Sequence, residues 1–109
     1  MIELEEKNID EQHGILKVED IISKCGMVLE QYDVKFCYLF GSYAKGKATP
    51  SSDVDLLISA NVNGLKFYGL VEEIRAKLQK KVDLLDINQL KNNIELTEEI
   101  LKYGVKIYG

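Results

Sequence analysis

The chain has 109 residues, 46% of them hydrophobic and 29% charged, with a formal net charge of −4 at pH 7. That length and mixture support one globular domain spanning 1–109 and exclude a disordered chain or two ordinary domains. The acidic balance excludes broad attraction to nucleic acid, and no apolar run reaches the length of a membrane span or forms a signal peptide, so a cytoplasmic protein is expected.

Residues 1–10 form a charged lead-in, in which Ile2 and Leu4 suit at most an edge strand. From Glu11 to Tyr32 the residues Ile15, Val18, Ile21, Ile22, Cys25, Val28 and Leu29 recur at three- and four-residue spacings. That pattern predicts a helix with one buried stripe, weakened locally by Gly14 and Gly26. His13, the one histidine of the chain, has no neighbour to pair with and reads as a surface residue. Cys25 and Cys37 have neither metal-ligand spacing nor a disulfide-rich setting, so free thiols are expected.

Val34 to Phe40 read as the first strand. Phe36, Tyr38 and Phe40 fall on one face and Cys37 and Leu39 on the other, so the strand is apolar on both sides and belongs inside an α/β layer arrangement. Gly41 and Ser42 then turn the chain into a short helical turn, Tyr43 to Gly46. The stretch GKATPSSD is a loop by composition, and a second strand runs from about Asp53 to Ile58. A helix follows from Leu65 to Lys80, with Phe67, Leu70, Val71, Ile74 and Leu78 on its buried face. The third strand is Val82 to Ile87. A last helix, from about Asn88 or Gln89 to Tyr103, carries Leu90, Ile94, Thr97, Ile100 and Leu101, with Gly104 as its C-cap. The tail VKIYG suits a short terminal strand. This order predicts a small sheet packed with helices.

Two places carry chemistry. At the end of the first strand, Gly41 permits close backbone approach, the following turn exposes amide groups toward an anion, and Ser42 adds a neutral donor. An acyl-transfer role for Ser42 lacks an activating base, and GSYAKG lacks the spacing of a Walker A loop. Lys45 is the nearest positive charge. Tyr43 suits either stacking on a base or a plain surface position.

The second place is DVD. Asp53 and Asp55 share one face of a strand, while Val54, Leu56 and Ile58 face the other way toward a core. Two like charges side by side need a compensating cation, and hard oxygen ligands suit magnesium. In the third strand, KVDLLDI offers Asp83 and Asp86. Three positions apart, they point to opposite faces, so only one can join the pair; Asp83 opens the strand, and Asp86 suits the turn after it.

GSYAKG, ten residues between Ser42 and Asp53, and then DVD resemble the fingerprint of the DNA polymerase β-like nucleotidyltransferases. The match is nearest to the minimal nucleotidyltransferases that act as antitoxins paired with helical HEPN toxins. The resemblance implies a mixed sheet, with Gly41 and Ser42 holding a nucleoside triphosphate and Asp53, Asp55 and Asp83 forming the magnesium site. Many relatives are similar to GSRARG, so Lys45 keeps the charge of an arginine without its bidentate fork. The implied reaction is in-line attack on an α-phosphate, with AMP passing from ATP to a tyrosine hydroxyl of the HEPN partner and no covalent enzyme intermediate. Two other functions fit the same residues: a binding module that masks its partner without chemistry, and transfer to a small hydroxyl compound. A homo-oligomer is also compatible with the chain.

Overall fold

The computed structural model describes residues 14–109, so the lead-in, His13 and the predicted first helical residues from Glu11 lie outside the described residues. The elements in chain order are α1 (Val18–Gln31), β1 (Val34–Phe40), α2 (Gly41–Ala44), β2 (Val54–Ala60), α3 (Leu65–Leu78), β3 (Val82–Asp86), a 3₁₀ turn (Ile87–Leu90), α4 (Ile94–Tyr103) and β4 (Val105–Tyr108). The strands form one mixed sheet in the order β3-β2-β1-β4. β1 runs antiparallel to β2 and to β4, whereas β2 and β3 are parallel. A parallel pair needs a crossover, and α3 supplies it.

The sheet is covered on both faces, as the apolar composition of β1 requires. On one face Cys37, Leu39, Val54, Leu56, Ile58, Val82, Leu84 and Ile107 pack against Ile21, Cys25, Val28 and Leu29 of α1 and Leu70, Ile74 and Leu78 of α3. On the other, Phe40 and Leu57 pack with Leu90 and Ile100, and Tyr38, Leu85 and Leu96 lie around them. Val34 also joins the first face although Cys37 lies an odd number of residues away. A register shift between Val34 and Phe36 accounts for this, since one extra residue reverses the alternation.

Local contacts decide where the helices differ from their sequence patterns. Among the described residues the predicted helix is helical only from Val18, because Lys17 is extended (φ −85°, ψ 147°). Residues 14–17 are held instead by distant groups. The Leu16 N–H donates to the Tyr43 hydroxyl (3.2 Å), which itself donates to the Gly14 carbonyl (3.4 Å). Ile15, before the helix, and Ile22, on its outer face, are exposed rather than part of the buried stripe. The predicted last helix is two elements. Asp86 caps the 3₁₀ turn, accepting from the Asn88 N–H at 2.9 Å, while its own N–H donates to Gln89 Oε1 at 2.8 Å. Asn93 then starts α4 separately, its Oδ1 accepting from the Leu96 N–H at 3.0 Å. Two side-chain caps seven residues apart hold the chain in two starts, where apolar periodicity alone reads one helix.

Gly104 does end α4, but in an extended conformation (φ −62°, ψ 144°) rather than a left-handed one. Its N–H reaches the Ile100 carbonyl at 2.7 Å, and the chain passes directly into β4. Ile94 and Leu101, predicted on the buried face, are 71% and 81% exposed.

Candidate active site

The site lies at one end of the sheet, on the face covered by α4. Asp55 sits opposite Phe40 on β1 and beside Asp83 on the parallel strand β3. Because side chains alternate, Asp53, Asp55 and Leu57 share a face, as do Asp83 and Leu85. Leu57 lies in the smaller core and Leu85 packs against it, so the acids extend that core's edge toward solvent. Val54, Leu56 and Val82, pointing the other way, are buried. The apolar set therefore sets the phase of the acids, and a one-residue slip would bury all three.

The approach to β2 is braced. Within the loop the Thr49 N–H donates to Ser52 Oγ (2.8 Å) and the Ser52 N–H donates to the Thr49 carbonyl (2.9 Å). Lys80 Nζ donates to the Pro50 carbonyl (2.6 Å), and the Val54 N–H donates to the Lys81 carbonyl (2.9 Å). These bonds deliver Asp53 to the start of β2 beside β3.

Gly41 meets the acids from the other side. Its φ is +73°, a region that favours glycine, and a Cβ built there would lie 2.1 Å from Asp55 Oδ2. The turn into α2 thus lies against the Asp55 carboxylate, with Ser42 half-buried next to it. Tyr43 is neither a surface residue nor a base-stacking platform. It is buried, with its hydroxyl bonded to the segment before α1. Sequence alone left it between stacking on a base and a surface position, because the groups that bond its hydroxyl are 27 and 29 residues away.

Asp55 carries the electrostatic signature of the site. Burial pushes its carboxyl up to about 6, and the charges of Asp83, Asp53 and Glu99 and hydrogen bonding with Asp83 push the same way. A carboxylate crowded by other carboxylates is part of the donor set a hard divalent cation relieves. Among the described residues no group of three or more His, Cys, Asp or Glu stands already in metal-holding positions. Asp55 and Asp83 lie side by side on the parallel strands β2 and β3. The residues fit magnesium by oxygen chemistry and by charge.

Glu99 was not among the residues that the sequence singled out. Its carboxylate lies 3.3 Å from Lys45 Nζ, and Lys45 also stands over the Tyr103 ring at 5.6 Å from its centroid. No local signal marks Glu99, because the partner is 54 positions earlier and only the packing of α4 near α2 brings them together. Asp86 is apart from this group, spent on the cap of the 3₁₀ turn. The two cysteines are also apart. Burial pushes Cys25 up to about 12, and burial followed by the nearby Cys25 raises Cys37, so neither offers a reactive thiolate.

The sequence pattern described as Polymerase beta, Nucleotidyltransferase matches residues 23–109. The chain belongs to that nucleotidyltransferase family. It is 37% identical over 81 residues to a candidate protein adenylyltransferase of Methanocaldococcus jannaschii, covering 72% of this chain and 83% of the relative. It is 39% identical over 70 residues to the protein adenylyltransferase MntA of Thermococcus cleftensis, covering 62% of this chain and 71% of that one. Among solved structures, a mutant form of the MntA–HpeT toxin–antitoxin superimposes with a TM-score of 0.64 at 25% identity, covering 87% of this chain and 74% of that chain. The mixed four-stranded sheet is thus that of a nucleotidyltransferase, and the chain is a nucleotidyltransferase enzyme. Among the described residues no helix is long and apolar enough to cross a membrane.

Proposed function

We propose that this nucleotidyltransferase transfers AMP from ATP to a tyrosine hydroxyl of a helical HEPN toxin, acting with magnesium as the antitoxin of the pair. The observation that carries the reading is the juxtaposition of Asp55 with Asp83 on adjacent strands, closed on one side by Gly41. The name borne by the Thermococcus relative supports protein adenylylation, and the MntA–HpeT superposition supports a toxin partner.

In this reading Gly41 and Ser42 receive the triphosphate. The first amide groups of a helical turn have no intrahelical acceptor and suit phosphate oxygens, and the Ser42 hydroxyl adds a donor that brings no charge. Lys45 adds a cation on the same side. Asp53, Asp55 and Asp83 hold magnesium, which when bound stabilises negative charge on the phosphates and makes an attacking hydroxyl more acidic. Asp83 is exposed at the outer end of β3, where a carboxylate oxygen can accept the tyrosine proton as the phenol oxygen bonds to the α-phosphorus. The bond from that phosphorus to the oxygen bridging the β-phosphate breaks, and pyrophosphate leaves with its electron pair. Positioning and charge supply the acceleration, without a covalent enzyme intermediate.

The adduct would put bulk and negative charge on the toxin where RNA phosphates must approach, which opposes RNA binding. The test is intact-mass measurement of the candidate partner after incubation with the protein, ATP and magnesium. Mass gained in AMP-sized steps with the wild type, and lost with Asp53→Asn, Asp55→Asn and Asp83→Asn, is expected. An unchanged partner mass, with toxin activity suppressed equally by wild type and variants, would replace this reading with masking by binding alone.

A further inference from the structure

The Lys45 ammonium is held from two directions by one helix. Glu99 pairs with it at 3.3 Å, and the Tyr103 ring lies 5.6 Å below it. Residues 99 and 103 are one helical turn apart and therefore share a face of α4. The Lys45 and Glu99 side chains are 32% and 31% exposed, so the pair is sheltered more than a free surface ion pair. Lys45 itself is the C-cap of α2, with its N–H donating to the Gly41 carbonyl at 3.1 Å. The backbone that carries the ammonium is thus tied to the glycine that lies against Asp55.

A lysine on a four-carbon stem loses substantial rotamer freedom when it binds an anion. A carboxylate and a ring that already confine it reduce that loss. An ammonium has three donors, so it can keep a bond to Glu99 while offering another to a phosphate oxygen. Glu99 also adds a negative charge near the nucleotide site, which opposes triphosphate binding. Solvent screens that longer-range repulsion, whereas the confinement of the ammonium by the pair at 3.3 Å is in place before the anion arrives.

We propose that Glu99 is a positioning residue, which with Tyr103 holds the Lys45 ammonium toward the triphosphate and so makes nucleotide affinity depend on α4. This rests on the assignment of Gly41 and Ser42 as the triphosphate site.

The experiment is a double-mutant cycle on Lys45→Ala and Glu99→Ala, measuring ATP and AMP binding by calorimetry with magnesium present and KM and kcat for ATP in transfer. Exposed to partly buried ion pairs support a loss of about two- to fivefold for Glu99→Ala. That loss is expected in ATP affinity and KM, with kcat and AMP affinity little changed, and it should vanish in the Lys45→Ala background. Glu99→Asp should recover part of it, whereas loosening of α4 alone would lower ATP and AMP affinity together. Tighter ATP binding by Glu99→Ala, or an equal loss with and without Lys45, overturns the proposal. If the wild type binds ATP and the Glu99 variants match it, only this inference fails. If the wild type itself binds no ATP, the nucleotide assignment fails and takes this one with it.

Discussion

Gly41 lies so close to the Asp55 carboxylate that a Cβ on it would come within 2.1 Å of Oδ2. Residue 41 opens α2 directly after β1 and residue 55 lies on β2, so the contact fixes that turn to the acidic strand. A side chain at 41 would meet both the overlap and a φ of +73°. The conformation alone costs about 1–2 kcal/mol. Gly41→Ala should therefore lower stability by at least that amount and, by displacing Asp55, reduce transfer about 100-fold, as small misplacements at reacting centres do. Steady-state transfer by a variant shown to be folded by circular dichroism checks it. Near-wild-type rates would mean that the turn and the acid do not depend on each other.

Asp55 also gives a pH signature. Its folded value, about 6, lies above the ordinary 3.8, so the folded chain binds this proton more tightly than the unfolded chain. Below pH 4 both states are protonated and the group contributes nothing. As pH rises through the interval between about 4 and 6, stability falls, and the full penalty is present above it. With partial solvent screening this amounts to about 1–2 kcal/mol. In EDTA, Asp55→Asn should melt higher than wild type at pH 7.5, and the gain should disappear near pH 4. Thermal melts across that range decide it, and a variant less stable at pH 7.5 would contradict the crowding of acids at this position.

Asp83 and Asp86 should separate cleanly in a paired assay. Asp83→Asn removes a carboxylate beside Asp55 and is expected to lose most transfer while remaining folded. Asp86→Ala removes the cap of the 3₁₀ turn and is expected to cost about 1 kcal/mol of stability with transfer largely retained. Rates and urea midpoints measured side by side give the ranking. A greater loss of transfer for Asp86→Ala would place the chemistry on the wrong face of β3.

Tyr43→Phe keeps the ring and removes the hydroxyl that joins Gly14 and Leu16 to α2. Hydrogen bonds of this kind contribute about 0.5–1.5 kcal/mol each. Urea unfolding should show a loss of at least that size. An unchanged midpoint would indicate that residues 14–16 are not fastened there in solution.

The two-sided apolar character of β1 and the alternation of β2 were legible in the chain, and with the latter the face on which Asp53 and Asp55 lie. Side-chain direction in a strand has period two, so Val54, Leu56 and Ile58 fix the phase without any tertiary knowledge. The same holds for the stripe Leu70, Ile74 and Leu78 of α3, and for the offset that separates Asp83 from Asp86. The spacing of GSYAKG from DVD carried the family resemblance, because glycine, serine and paired acids are each chemically constrained.

Tertiary structure decided what depends on contacts distant in sequence. Tyr43 lies in the core with its hydroxyl accepting from the Leu16 N–H and donating to the Gly14 carbonyl, and those same bonds hold the chain before Val18. Ile94 and Leu101 have the spacing of a buried stripe, yet the small second core ends at Leu90, Leu96 and Ile100 and leaves them outside. Glu99 looks like any solvated helix residue until α4 folds over the sheet and sets it against Lys45. Periodicity reports which face of an element is apolar, a property of neighbouring residues. Which side chain meets Lys45 or Asp55 depends on how β1, β2, β3 and α4 are assembled, and no local pattern encodes that.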